Sequence, residues 1–403
     1  MKFSQVAGLA ALANGVIRAK AIQARDYDVS TAEHDFKQLV ASIEEKASAE
    51  LRNNDKSSGC TAENINYRQE FGDLSKDQRL DYTQAVLCLM SLPANTPSDY
   101  APGAKSRYDD FIITHINHTL DAHYTGNFMA WHRWFIYTYE TALRDECGYN
   151  GYQPYWDWPK YASAPQDSPI FNGDPYSMGG NGEWDPDLPP SVVGPPEGVP
   201  GVHSTLPRGL GGGFVTTGPF ANMTINVGPI ALASNNSPPN PQADGLGYNP
   251  RPLKRDVGPA VNERFANWTT VWGEYLPSLT GWKERKDRSI ILTALNKISS
   301  TSRTLRNIAF CPREDSTTAR LVLMAAVTTL SMAIPAVTWQ AMDPENRNLQ
   351  LDDGPYGHIT WNNDPVSRLT TLDDVINIGW AGPETTMREM MSTTGGTLCY
   401  FYK

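Results

Sequence analysis

The chain has 403 residues, of which 40% are hydrophobic and 19% are charged, and its formal net charge is −10. This composition predicts a globular protein with a sizeable core. The 44 acidic residues outnumber the 34 basic ones and no basic block is present, which argues against binding to nucleic acid or an anionic membrane. No stretch reaches the roughly 18 consecutive apolar residues of a membrane-spanning helix.

The N-terminus has the features of a secretory signal peptide. Lys2 precedes a mildly apolar run over residues 6–17, and an A-x-A pattern ends at Ala21. We therefore expect residues 1–21 to be a leader and the mature protein to be secreted. An amphipathic N-terminal helix is the alternative.

The cysteines and the glycosylation triplets fit a secreted protein. The five cysteines are scattered, which favours long-range disulfides over a zinc cluster, and their odd number leaves at least one unpaired within the chain. Four N-x-S/T triplets are candidate glycan acceptors in an extracellular setting. They begin at Asn117, Asn222, Asn235 and Asn267.

Three helices are predicted before residue 150. Residues 76–92 have one apolar face and end before Pro93, residues 105–118 form a second helix, and residues 127–146 give the clearest pattern. Asn127 is a candidate N-cap of the third helix, and Gly148 lies just past its end. The core-facing stripe of that helix repeats at steps of three and four residues. It consists of His132, Phe135, Ile136, Tyr139 and Leu143.

Residues 165–259 differ in texture, because they contain 18 of the 30 prolines and no periodic pattern. We expect an excursion, meaning a long ordered loop region that packs on the helical core, with short extended pieces such as GGGFVTTG.

Four of the seven histidines, at positions 115, 118, 123 and 132, fall within 18 residues. Imidazole is a good ligand for copper, zinc, iron and nickel. We expect His115 on the second helix, His123 in the following turn and His132 on the third helix, so that three nitrogens can converge on one ion. His118 is expected to be exposed. Histidines that bond to backbone carbonyls are the alternative interpretation.

The sequence around this cluster resembles the first copper-binding half of the tyrosinase and catechol oxidase family, and is closest to its short secreted fungal members. Residues 108–158 read YDDFIITHINHTLDAHYTGNFMAWHRWFIYTYETALRDECGYNGYQPYWDW. The resemblance implies that His115, His123 and His132 bind one copper ion. It also implies a mainly α fold, in which a helical bundle surrounds the copper centre with long loops and little β structure, as a single domain over residues 22–403.

The same resemblance implies an oxidoreductase that converts phenols or o-diphenols to o-quinones with O₂, using two copper ions. A small phenolic molecule and O₂ are its expected partners; the oligomeric state is not predicted. Tyr400 and Tyr402 resemble the terminal tyrosine motif of the family, which implies packing on Arg68. The charges of Arg133, Glu140 and Asp157 lie among aromatic residues, so we expect them to form internal ion pairs or bonds that support the metal site.

The second copper-binding half is not recognisable in the sequence. The family takes three further histidines ahead of a W-Q pair, here Trp339-Gln340, yet no histidine occurs between His203 and His358. Residues 281–337 do not resemble the family. They could reflect a coding-frame error, a degenerate paralogue or the recruitment of other ligands.

The alternative function is therefore a catalytically dead or mistranslated family member, or a non-catalytic copper-binding protein, that binds at most one copper. A zinc hydrolase would need a general-base motif such as H-E-x-x-H, which is absent from the sequence.

Overall fold

A computed structural model describes residues 51–54, 59–122, 128–157, 159–193, 204–229, 238–262 and 371–402, with Glu45, Ser48 and Ala49 before them. Helices dominate this part of the chain and the strands are two to four residues long, so the prediction of a mainly α fold is confirmed. None of the described helices is long and apolar enough to cross a membrane. Several sequence features and the predictions made on them lie outside the described residues: the leader at 1–21, His123, Asn127, His203, Asn235, Asn267, the cysteine at position 311, His358 and the segment 281–337.

The three predicted helices are present with slightly shifted ends. Helix α1 is Lys76–Ser91, α2 is Arg107–Ala122 and α3 is Phe128–Cys147. Ser75 caps α1: its hydroxyl accepts a bond from the amide of Gln78, and the side chain of Gln78 accepts one from the amide of Ser75. Helix α2 begins later and ends later than the apolar pattern suggested.

Helix α1 packs against α2 and α3, and a disulfide between Cys88 and Cys147 joins the C-terminal ends of α1 and α3. Gly148, with a φ of 69°, follows α3 directly, in the left-handed conformation that favours glycine at a helix end. All five residues of the predicted core-facing stripe of α3 are buried, but α3 is buried on its other sides too, as Trp134 and Ala142 show. The five residues are His132, Phe135, Ile136, Tyr139 and Leu143.

The two ends of the described chain meet in a parallel strand pair. Strand β1, Asn66–Arg68, pairs with β10, Tyr400–Tyr402, and a second disulfide joins Cys60 to Cys399 beside them. The guanidinium of Arg68 lies 3.7 Å from the ring centre of Tyr400, and its Nη1 donates to the hydroxyl of Tyr402 at 3.1 Å. The predicted packing of the terminal tyrosines on Arg68 is therefore present.

Residues 165–259 form the expected excursion in its described parts. Strand β2, Gly182–Trp184, pairs with β5, Gly212–Val215. Two further antiparallel pairs join β3, Ser191–Val193, to β4, Ser204–Leu206, and β6, Thr224–Ile225, to β7, Arg251–Pro252. A short helix α4, Pro259–Asn262, follows.

Buried arginines order these loops by donating to backbone carbonyls. Arg255 bonds to the carbonyls of Met178, Gly179 and Gly180 at 2.6–2.7 Å. Each such bond satisfies a buried carbonyl that has no strand partner, so the excursion is ordered without long strands.

The C-terminal segment returns over the helices. Strand β8, Val375–Ile376, pairs with β9, Thr385–Thr386, and a 3₁₀ turn over Gly379–Ala381 lies between them. This segment packs against α2 and α3, the two helices that carry His115 and His132.

Tyr82 on α1 should make the fold sensitive to alkali. Burial raises the pKa of its hydroxyl to about 12, against roughly 10 in the unfolded chain. A raised pKa in the folded state means that the stabilisation is complete below pH 10 and is lost as the pH rises from about 10 to about 12. Between those limits the wild type should lose about 3 kcal/mol more stability than Tyr82→Phe, which cannot ionise at this position.

Urea unfolding of both proteins at about pH 8 and about pH 12 measures this difference. At the lower pH the variant should lose only the hydrogen bonds of the Tyr82 hydroxyl, which are the 3.0 Å bond that Gln153 donates and a bond with Tyr139. Parallel stability curves over the whole range would contradict the prediction.

Candidate metal centre

Helices α2 and α3 bring two of the predicted ligands together. His115 on α2 and His132 on α3 are both buried, with 9% and 2% of their surfaces exposed. Their ring centres lie 5.7 Å apart and the ring planes are inclined by 68°. The Nε2 atom of each ring is buried. The two histidines are 17 positions apart in the sequence, but the packing of α2 and α3 makes their rings direct neighbours.

Aromatic side chains surround this histidine pair. The ring centre of Trp131 lies 4.8 Å from that of His132 and 6.1 Å from that of His115. Phe135 stacks on Trp131 at 4.9 Å and lies 6.0 Å from His115. An apolar shell of this kind lowers the local dielectric and keeps water away from the imidazoles.

The prediction that His118 is exposed is wrong. Its side chain is half-buried, and its ring lies 5.6 Å from that of Trp131. The reason is that three residues on a helix correspond to almost one turn, so His118 follows His115 onto the side that faces α3. Asn117 beside it is exposed and donates to the hydroxyl of Tyr100 at 3.0 Å.

Arg133, Glu140 and Asp157 each bond to another group of the protein, as predicted. Glu140 on α3 accepts a 2.9 Å bond from Nε of Arg68 and a 2.6 Å bond from the amide of Gln153. Arg133 donates to the carbonyl of Met390 at 2.5 Å. Burial raises the pKa of the Asp157 carboxyl, which accepts a bond from the backbone of Lys160.

The C-terminal segment supplies partners that the sequence did not indicate. The hydroxyl of Thr114 donates to the carbonyl of Ile378, and the indole nitrogen of Trp131 donates to the carbonyl of Asn377, both at 2.9 Å. Trp134 makes a similar bond to Pro383 at 2.8 Å. A buried indole or hydroxyl needs a partner, but nothing in the local pattern indicates one about 250 residues away.

The donor chemistry of the pair fits copper. Two buried imidazole nitrogens in an aromatic setting are suitable ligands for a borderline transition metal and unsuitable for calcium or magnesium. In the described part of the chain no group of three His, Cys, Asp or Glu side chains is arranged to hold a metal. The third predicted ligand, His123, lies outside the described residues.

Comparison with known proteins agrees with this chemistry. The family described as the common central domain of tyrosinase matches residues 105–308, a range that includes both helices of the histidine pair. The chain also resembles a solved polyphenol oxidase from Thermothelomyces thermophila, with a TM-score of 0.69 and 44% identity over 94% of this chain and 99% of that one.

Two curated fungal proteins give the same result. An oxidase from Aspergillus hancockii, hkm6, is 37% identical over 305 residues, which are 73% of this chain and 99% of that protein. A tyrosinase-like protein from Emericella nidulans, orsC, is 43% identical over 218 residues, or 53% of this chain and 59% of that protein. The chain belongs to the tyrosinase family. It spans little more than half the length of several curated relatives that it matches.

Proposed function

We propose that this protein is a secreted copper oxidase that converts phenols or o-diphenols to o-quinones with O₂. The observation that carries the proposal is the buried, adjacent pair of imidazoles of His115 and His132 within the range matched to the tyrosinase family. His123 is proposed as the third ligand of the same copper ion.

Copper at this position would supply electron exchange with O₂, which amino-acid side chains cannot provide. The chain itself contributes position and environment. The imidazoles must be neutral to act as ligands, so metal binding competes with protons at low pH. Trp131 and Phe135 exclude water from one side of the pair. In the overall balance, two catechol molecules lose two electrons and two protons each, and one O₂ accepts them to form two waters.

We further propose that residues 1–21 are a cleaved leader and that residues 22–403 form one domain. The disulfides Cys60–Cys399 and Cys88–Cys147 support secretion, because such bonds persist mainly in oxidising compartments.

The proposed activity is tested on protein recovered from the medium of a fungal expression host. Its first residue is expected to be Ile22. After loading with copper, it should consume O₂ in the presence of catechol and form o-quinone, with two catechols oxidised for each O₂. Copper-loaded protein that consumes no O₂ with catechols or monophenols would contradict the oxidase proposal.

A second candidate is a non-catalytic family member that binds one copper ion. The histidine inventory favours it: outside the cluster the chain has only His34, His203 and His358, whereas a pair of copper ions takes about six histidines. Segment 281–337, where the second set is expected, is proposed to replace that half. One copper per chain without quinone formation would support this candidate, and two with quinone formation would exclude it.

A further inference from the structure

The residues that directly precede the two buried histidines are bound to consecutive backbone carbonyls. Thr114, before His115, donates its hydroxyl to Ile378 at 2.9 Å. Trp131, before His132, donates its indole N–H to Asn377, also at 2.9 Å. One dipeptide of the C-terminal segment therefore holds a turn of α2 and a turn of α3 at the same time.

The dipeptide itself has a fixed backbone. It lies between β8 and the 3₁₀ turn, and Ile378 is fully buried. The side chain of Asn377 accepts a 2.6 Å bond from the amide of Gly379 and donates a 2.6 Å bond to Glu384. Gly379 has a φ of 52°, a conformation that glycine adopts without strain. The carbonyls thus present a rigid acceptor pair to the helices.

This arrangement affects the imidazoles directly. Rotating or sliding either helix would break its bond to the dipeptide, so the two bonds together fix the relative placement of α2 and α3 at the level of the histidines. The indole of Trp131 also contacts both imidazoles: its ring centre lies 4.8 Å from that of His132 and 6.1 Å from that of His115. Groups that orient metal ligands in this way affect metal affinity without touching the metal.

We propose that Thr114 and Trp131 are positioning residues for the copper site. Their bonds to the carbonyls of Ile378 and Asn377 set the spacing of His115 and His132. The inference rests on the proposed copper function. It means that the C-terminal segment helps to determine the geometry of the metal centre, although it lies more than 240 residues from the histidines in the sequence.

The test uses the full-length protein and four single variants. Thr114→Val keeps the shape of the side chain and removes the hydroxyl, while Thr114→Ser removes the methyl group and keeps the hydroxyl. Trp131→Phe keeps an aromatic ring and removes the N–H. Trp134→Phe is the matched control, because Trp134 lies on the same helix and bonds to Pro383 of the same segment.

The measurements are the Cu(II) dissociation constant, by competition with a chelator, and the EPR spectrum at sub-stoichiometric Cu(II). Thr114→Val and Trp131→Phe should each weaken binding by about 10-fold and change the hyperfine splitting. Thr114→Ser and Trp134→Phe should retain the affinity and spectrum of the wild type. Thermal unfolding of the metal-free proteins identifies any variant that does not fold; if Thr114→Val fails, the comparison of Trp131→Phe with Trp134→Phe decides.

Two results would overturn the inference and leave the copper proposal standing. The first is wild-type affinity and spectrum in both Thr114→Val and Trp131→Phe. The second is an equal loss of copper affinity in Trp131→Phe and Trp134→Phe. Failure of the wild type to bind copper would instead overturn the copper proposal.

Discussion

Replacing Glu140 with glutamine is expected to lower the free energy of unfolding by about 3 kcal/mol. Glu140 and Arg68 are almost fully enclosed, with 3% and 1% of their side-chain surfaces exposed, and their charged atoms lie 2.9 Å apart. Burial lowers the pKa of the Arg68 guanidinium, but the combined interactions with Glu140, Tyr400 and Tyr402 outweigh that effect and the pKa is raised. The neutral amide would leave the arginine charged and buried without its counter-ion. Urea denaturation of the metal-free protein measures the loss.

An exposed ion pair gives the matched control for this prediction. Arg388 and Asp373 approach to 2.6 Å, but their side chains are 60% and 80% exposed. Asp373→Asn should cost less than about 1 kcal/mol, because water already solvates both charges. Similar losses of unfolding free energy for Asp373→Asn and Glu140→Gln would contradict the prediction, because burial would then not increase the contribution of the Arg68–Glu140 pair.

Local periodicity was sufficient to predict the helical core. The stripe from His132 to Leu143 repeats at helical steps, and such a repeat depends only on neighbours within two or three turns. The placement of His132 towards the core followed from it. The association of Arg68 with Tyr400 and Tyr402 required the family resemblance, since no local pattern links positions more than 330 residues apart.

Contacts between separate secondary-structure elements could not be predicted from the sequence. The helical repeat places His118 on the same side of α2 as His115, but its contact with Trp131 also depends on how α2 packs on α3, and the packing angle of two helices is not encoded in the periodicity of either one. The same limit hid the bond from Thr114 to Ile378. A hydroxyl inside a helix usually bonds within its own helix or to water, so its tertiary acceptor became visible only in the fold.

The largest expected effect on metal binding comes from the histidines themselves. His115→Asn and His132→Asn each remove an imidazole from the buried pair. Substitutions of residues that only support metal ligands lower affinity by up to roughly 100-fold, so loss of a ligand itself should lower copper affinity by more than that. His118 provides the control on the same helix. It is half-buried and also packs on Trp131, but it is not proposed as a ligand.

Copper content after dialysis, measured by elemental analysis on wild type and these three variants, tests the central claim most directly. The account predicts that His118→Asn keeps the copper content of the wild type and that His115→Asn and His132→Asn lose the copper bound at this centre. Loss of copper in His118→Asn together with full retention in His115→Asn and His132→Asn would contradict it.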